Sequence, residues 1–303
     1  MELHHTTELL QKVDFPGISD RGISLFIARE DLRHPFLSGN KNRKLKYNIE
    51  DYQSSGCKAI ITFGGAWSNH LVACAYSCHE KQIPCLAIIR GEEIENPVIN
   101  FLRSKGVKLI FTSRETYRRR YDDDAHSYFA SLALKIYPEI AEDISDLFMI
   151  PEGGSNVAGV KGCTEMMEDI DLKPDFVVCP CGTGATLAGI AKSLESAQTA
   201  IGIAVLKGAL FLEEAVLKFG ADRGSFRIIH DFHEGGYARA GPRLLNFCEM
   251  FSSQTGIPVE PVYTGKMFFG LIQMIQSGYF PSHSNVLAIH TGGIYHFENE
   301  NKM

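Results

Sequence analysis

Short, almost wholly apolar runs alternate with longer stretches in which apolar and polar residues recur at helical spacing. Lys58–Phe63, Cys85–Arg90, Val107–Phe111, Leu147–Ile150, Asp175–Cys179, Ala200–Leu206, Phe226–His230 and Val286–His290 are the runs. They lack the alternation of a strand with one wet face, which is how strands read when helices cover both sides of their sheet. Helical patterns lie between most of them, about Asn69–Lys81 and Pro97–Lys105 being the clearest. Strand-helix alternation predicts an α/β protein with right-handed crossovers and mostly parallel sheets.

The chemistry lies in the segments that leave the strands. Gly64-Gly65-Ala66-Trp67-Ser68-Asn69-His70, Gly153-Gly154-Ser155-Asn156, Gly182-Thr183-Gly184-Ala185-Thr186, Gly235-Gly236-Tyr237 and Thr291-Gly292-Gly293 each come after an apolar run. One glycine loop is ordinarily a turn. Five at carboxyl ends of strands predict a shared ligand crevice, because open α/β sheets bind there. Gly182–Thr186 has the makings of a phosphate site: glycines admit backbone N–H groups to an anion, threonines add hydroxyls, and a helix opens near Ala185. It is not a Walker loop, since no Gly-Lys-Ser/Thr is present after it. Gly182-x-Gly184 also departs from the dinucleotide fingerprint, which needs a further glycine at fixed spacing and a distal acid. A small phosphorylated ligand fits better than a nucleotide.

A chain of 303 residues with 45% hydrophobic and 22% charged residues has ample material for one large or two modest domains. Its formal charge of -6 argues against nucleic acid or an anionic membrane as partner. No apolar run approaches the roughly 20 residues of a membrane span, and the first residues lack a signal peptide's apolar core. The eight scattered cysteines read as reduced core residues of a cytoplasmic protein, with no zinc-ligand spacing and no metal site expected. Arg114–Asp124 (RETYRRRYDDD) reads as an exposed loop and helix start, its arginines offset by three aspartates.

Against this acidic balance stands Ser38-Gly39-Asn40-Lys41-Asn42-Arg43-Lys44-Leu45-Lys46. With Arg29-Glu30-Asp31, Ser68-Asn69-His70 and Pro258–Lys266 (PVEPVYTGK), it resembles pyridoxal-5'-phosphate (PLP) enzymes of the tryptophan synthase β-like fold, fold type II. Within them it is similar to the branch holding 1-aminocyclopropane-1-carboxylate (ACC) deaminase and D-cysteine desulfhydrase. The resemblance runs from Arg29 to Gly293. It implies two open, mostly parallel twisted sheets with helices on both faces, residues 1–46 and 149–303 forming a large PLP-binding domain and 47–148 a small inserted one. It also implies a homodimer acting on a small amino acid as a lyase or deaminase, the latter also classed as a hydrolase.

The resemblance places the Schiff-base lysine at Lys41, with Lys44 near the cofactor phosphate and Gly182, Thr183, Gly184, Ala185 and Thr186 gripping it. Ser68, Asn69 and His70 would meet the substrate carboxylate and, at Asn69, the cofactor ring; Ser68 is a candidate proton relay as well as an ordinary helix N-cap. Tyr237 and Tyr263 match two active-site tyrosines, and Trp67, where many relatives have Gln, would reshape the substrate pocket. Arg43 and Lys46 are left as helix-surface charges. The branch point is Tyr263-Thr264 with Thr291: ACC deaminases carry Glu after the Tyr and Leu in place of Thr291, whereas desulfhydrase-type members carry Thr at both. A neutral hydroxyl beside the pyridine nitrogen leaves a weaker electron sink than a carboxylate. That suits α-proton removal and loss of a thiolate, and suits less well the opening of a cyclopropane. The expected reaction is therefore α,β-elimination from D-cysteine to pyruvate, ammonia and sulfide, with ACC deamination to 2-oxobutanoate and ammonia as the alternative. A nucleotide-dependent oxidoreductase using the Gly182 loop and a non-catalytic PLP-binding protein are the remoter readings.

Overall fold

The computed structural model describes residues 9–297. Ten strands are present: β1 (Leu10–Val13), β2 (Ser24–Ala28), β3 (Ala59–Gly65), β4 (Cys85–Arg90), β5 (Lys108–Thr112), β6 (Leu147–Ile150), β7 (Phe176–Cys181), β8 (Thr199–Ala204), β9 (Phe226–Ile229) and β10 (Asn285–Ile289). The α-helices are α1 (Asn40–Ser55), α2 (Asn69–Glu80), α3 (Pro97–Ser104), α4 (Arg114–Arg118), α5 (Ala125–Ile136), α6 (Val157–Thr164), α7 (Ala185–Ser193), α8 (Phe211–Lys218), α9 (Pro242–Thr255) and α10 (Thr264–Gln276). Over the described residues the chain divides into two compact units, one made of residues 9–43 with Val160–Ile294, the other of Lys44–Gly159 with residues 295–297.

The first unit is built on a six-stranded sheet of order β1-β2-β10-β7-β8-β9. All its pairings are parallel except β1 with β2, which runs antiparallel at the edge. Neither strand is among the apolar runs: Gln11 and Lys12 interrupt β1, and β2 opens on Ser24. Elsewhere the period-2 geometry of each strand divides its residues between two cores. Leu25, Ile27, Val178, Ile201, Ile203 and Val286 face α9 and α10, whereas Val177, Cys179, Cys181, Leu287 and Ile289 face α7 and α8. Helices thus cover both faces, and the strands read as continuous apolar runs for that reason.

Pro180 lies inside β7, where a proline ordinarily forfeits a ladder bond. Cys181 accepts from Val205 N–H on the β8 side, so Pro180, one residue earlier, turns its nitrogen to the β10 side. The β10 ladder reaches only Val178. The ring therefore sits just beyond the last place where an N–H is needed.

The second unit carries a four-stranded, wholly parallel sheet of order β5-β4-β3-β6. On one face Ala59, Ile61, Phe63, Leu86 and Ile88 pack on Tyr117 of α4 and on Phe129, Ala130 and Ala133 of α5. α2 packs against β3 and β4. Gly64 and Gly65 are not turn glycines: both belong to β3, and a Cβ at Gly64 would lie 2.6 Å from Leu71 and 2.8 Å from Ser68. The missing side chain lets the start of α2 press on the strand.

The tyrosine- and arginine-rich segment forms α4 and a single 3-10 turn, Arg119–Tyr121. Its arginines are engaged, Arg119 with Asp122 and Asp124 and Arg120 with Glu152, while both stack on tyrosine rings.

Arg43 corrects the sequence reading. It is buried, and its guanidinium donates to both carboxylate oxygens of Glu30, at 3.1 and 3.2 Å, and to Asp169. Arg33 joins the same two acids at 2.7 and 2.8 Å, so two cations and two anions close a ring between the approach to α1 and the segment after α6. Burial lowers the pKa of Arg43, but the bonds to Glu30 and Asp169 outweigh it and hold the value above the ordinary one. α6 comes close enough to make this possible because Gly162 has no Cβ, which would stand 1.8 Å from the Arg43 carbonyl oxygen. Sequence spacing showed the charge of Arg43 but not its partners, one of which lies 126 residues away. Glu30→Ala leaves the buried Arg43 and the partly buried Arg33 short of a partner and should cost about 3–5 kcal/mol. Chemical denaturation of the variant beside wild type measures it.

Candidate active site

Lys41 opens α1 from a turn that only glycine permits. Gly39 has φ +63°, and a Cβ there would stand 1.9 Å from the carbonyl oxygen of Thr291. Gly292, with φ +78°, answers from the other side, where a Cβ would meet Ser38 Oγ at 2.3 Å. The loop after β10 and the start of α1 thus touch through backbone. Thr291 is buried at this contact.

His290, the residue before it, is fully buried and fixes the loop in turn. Its Nε2 lies 2.8 Å from the Pro258 carbonyl, while Gly292 N–H reaches Nδ1 at 3.3 Å. A carbonyl only accepts and an amide N–H only donates, so the ring carries its proton on Nε2 and is neutral. Burial agrees, lowering the pKa of His290 even though Asp31 stands 3.3 Å from Nδ1. Asp31 itself takes a two-pronged bond from Arg29, at 2.8 and 2.9 Å.

From this base a chain of polar contacts runs to the glycine loop after β7. Lys41 Nζ donates to Asn40 Oδ1 at 2.6 Å, and Asn40 Nδ2 donates to Thr186 Oγ1 at 2.7 Å. Asn40 and Thr186 are buried. Thr186 lies in the first turn of α7, whose N-cap is Gly184 at φ +84° with no side-chain cap. A helix that starts on glycine without a capping side chain leaves its first N–H groups to an anion. The primary amine of Lys41 and this cradle, joined through one asparagine, form a donor set that fits the aldehyde and phosphate of PLP. Lys41, Gly182, Thr183, Gly184, Ala185 and Thr186 are the residues of this unit that would hold it.

Two tyrosines stand in the same unit. Tyr237 and Tyr263 meet edge to face with ring centroids 6.0 Å apart, and Gly182 lies beside Tyr263. Each is held by a charged side chain. Glu260 accepts from the N–H groups of Val262, Tyr263 and Thr264 at 2.6 to 3.1 Å, an acid at a helix N-terminus where the dipole favours it. Burial opposes these bonds and pushes its carboxyl up to about 7. Thr264 is fully buried, with its hydroxyl 3.2 Å from Glu260 Oε1 and accepting from the Glu260 N–H at 3.1 Å. Lys266 is also fully buried and donates to the carbonyls of Gly236 and Val205, tying the Tyr237 loop and the end of β8 to α10.

The remaining expected residues belong to the second unit. Ser68 caps α2, its Oγ accepting from Leu71 N–H at 3.4 Å, and Asn69 begins the helix. His70 is buried rather than open to the site. Thr62 Oγ1 donates to the Ile150 carbonyl at 2.9 Å and therefore accepts from His70 Nε2–H at 2.8 Å. The imidazole thus pins the first turn of α2 to β3 and β6. Trp67, by contrast, is 54% exposed. Lys44 is buried, and a Cβ at Gly154 would come 3.2 Å from its own Cβ.

Sequence reasoning passed over Asn40, Glu260 and Lys266, although all three stand inside the motifs it quoted. A polar residue beside a reactive lysine and a charge amid an apolar helix were the available signals.

A family model described as "pyridoxal-phosphate dependent enzyme" matches residues 4–292. A protein of Thermotoga maritima, provisionally named a 1-aminocyclopropane-1-carboxylate deaminase, is 31% identical over 297 residues, covering 90% of each chain. The mitochondrial bifunctional D-cysteine desulfhydrase/1-aminocyclopropane-1-carboxylate deaminase of Arabidopsis thaliana is 30% identical over 322 residues, 96% of this chain and 77% of that one. Among solved structures, an ACC deaminase homologue superposes with a TM-score of 0.73 at 26% identity, covering 97% of this chain and 91% of its own. A hydrogen sulfide-producing enzyme from Fusobacterium nucleatum, with a TM-score of 0.63 at 15% identity over 96% and 98% of the two chains, shares the fold.

The chain belongs to the pyridoxal-phosphate dependent enzymes, and these relatives place it among their lyases and deaminases. The expected label of hydrolase is withdrawn: elimination at an amino-acid carbon, which PLP promotes, is lyase chemistry. Among the described residues no helix is long and apolar enough to cross a membrane.

Asn40→Ala removes the link between Lys41 and Thr186. It should release PLP more readily on dialysis, tracked by loss of the visible absorbance, while the melting temperature of the cofactor-free protein changes little. His290 gives a pH signature. Its folded pKa is lowered from 6.5, so below that pH the unfolded chain takes up a proton that the folded one refuses, and stability falls as pH falls. His290→Gln should flatten that acid limb in denaturant midpoints measured from pH 7.5 down to pH 5.

Proposed function

We propose that the protein catalyses α,β-elimination from a small amino acid, D-cysteine in the first instance, giving pyruvate, ammonia and sulfide. Water supplies the oxygen of pyruvate, so the atoms balance without an oxidant. The observation that carries the choice of substrate is the pair Thr264 and Thr291, two neutral side chains at the positions where the ACC deaminase pattern has Glu and Leu. Thr264 is bound to Glu260 through its own hydroxyl, which leaves Thr291 to meet the pyridine nitrogen.

Bound PLP supplies an electron sink for the substrate's α-carbon. Lys41 would hold the cofactor through its Nζ, and the same atom would serve as the base for the α-proton. Asn40 orients the amine by accepting from it, and keeps a fixed relation to Thr186. The amides of Gly182–Thr186, with the helix dipole of α7, hold the phosphate, and Lys44 adds charge to it. Ser68 and Asn69, at the N-terminus of α2, take the substrate carboxylate, and the buried His70 positions them. Tyr237 and Tyr263 line the substrate's side-chain end, where a phenol delivers a proton to the departing sulfur. Glu260 and Lys266 act through these tyrosines as positioning residues.

The second reading, ACC deamination, is favoured by the names of the Thermotoga and Arabidopsis relatives. The two are separated by assaying D-cysteine, L-cysteine and ACC side by side with the holoenzyme. Sulfide and pyruvate from D-cysteine, with ACC consumed at least about 100-fold more slowly, is the expected result; turnover of ACC alone would refute the assignment. Lys41→Ala should fold, lose the borohydride-sensitive band and lose at least about 1,000-fold in rate, as expected for removal of a covalent catalyst.

A further inference from the structure

Three cysteines that the reaction does not use meet inside the second unit. Cys74 and Cys78 stand four residues apart on one face of α2, and Cys85 is the first residue of β4. A tight reversal joins the two elements: Ile83 N–H returns to the Cys78 carbonyl at 2.8 Å, with Gln82 in the left-handed region at φ +55°. The turn lays Cys85 against the last turns of the helix. All three side chains are buried and their sulfurs lie within 4.8 Å of one another, with Cys74 Sγ and Cys78 Sγ 3.9 Å apart.

These distances are those of a trigonal ligand set. Three sulfurs about 2.3 Å from one ion, at equal angles, stand about 4 Å from each other. Their chemistry narrows the ion further. Thiolates are soft ligands that favour Cu(I), Zn(II) and iron–sulfur clusters. Structural zinc closes a four-ligand tetrahedron, and among the described residues no fourth Cys, His, Asp or Glu ligand atom lies within this cluster. Ala73, Ala75, Leu86 and Ala87 beside it are buried and apolar, and the buried His70 lies one helical turn before Cys74. We infer that Cys74, Cys78 and Cys85 form a three-sulfur site for a soft monovalent d10 metal ion, with Cu(I) the fitting case. The motif escapes a search by sequence because its spacing, C-x3-C-x6-C, matches no zinc pattern and half of it depends on the turn.

Cys74 Sγ and Cys78 Sγ stand within hydrogen-bond reach, and either can donate to the other. Ligation sends the thiol protons to solvent; the sulfurs and the copper keep their oxidation states. Affinity should accordingly rise with pH.

The test uses the full chain, loaded with PLP, reduced by a phosphine and kept anaerobic. Cu(I) is titrated in competition with a chromophoric bicinchoninate chelator, and the copper-loaded protein is measured by X-ray absorption. The expected outcome is one Cu(I) per chain with three sulfurs at about 2.3 Å. Cys74→Ala, Cys78→Ala and Cys85→Ala should each weaken binding by at least about 100-fold, as loss of a ligand must exceed the 10–100-fold cost of losing its support. Cys57→Ala and Cys248→Ala should leave it unchanged. Failure of the wild type to compete, coordination by fewer than three sulfurs, or undiminished binding in the variant lacking all three cysteines would each overturn the site. The wild-type stoichiometry and spectrum decide the matter even where a variant folds poorly.

Discussion

A backbone contact that tolerates no side chain governs this enzyme. Gly39 lies on the Thr291 carbonyl and Gly292 on Ser38, both in the left-handed region. Through that contact the first turn of α1 takes its place beside the end of β10, and Lys41 its place beside Asn40 and Thr186. The contact is supported from below on both sides. On one, the ring of Glu30, Arg33, Arg43 and Asp169 holds the approach to α1; on the other, neutral His290 braces the loop between Pro258 and Gly292. Lys41 is in this way fixed by its neighbours, and the buried Arg43 of the motif is explained by support.

The same logic separates what the sequence made legible from what it hid. Apolar runs located eight strands, because helices on both faces of a sheet leave no polar alternation to confuse the pattern. Two strands stayed hidden, the edge strand β1, whose apolar run Gln11 and Lys12 interrupt, and its neighbour β2. The glycine loops were visible by composition. Gly64 and Gly65, however, looked like turn residues and belong to β3, where they admit the start of α2. Within SGNKNRKLK, Lys41 stood out through its motif, yet Arg43 was read as a surface charge. Its partners, Glu30 and Asp169, lie 13 residues before it and 126 after it, and only the fold brings them together. Spacing likewise gave no hint that Cys85 would meet Cys74 and Cys78, since a left-handed residue at Gln82 decides it.

Charge within the first unit is placed where it organises backbone. Glu260 gathers three successive N–H groups at the start of α10, and Lys266, in the first turn of the same helix, gathers two carbonyls from elsewhere. Each thereby fixes one tyrosine. Both ions are costly to bury, and each is offset by backbone groups that would otherwise lie unpaired in the same place.

The Glu260 cap also limits the mutational routes open to this chain. Position 264 is where the two patterns expected from the sequence diverge, and here its side chain lies against the Glu260 carboxylate. A glutamate introduced there would set two acids in contact at a fully buried position, where like charges repel most and one must stay protonated. Exchange of one pattern for the other is therefore not a single step at residue 264. The supporting acid has to change first or together with it.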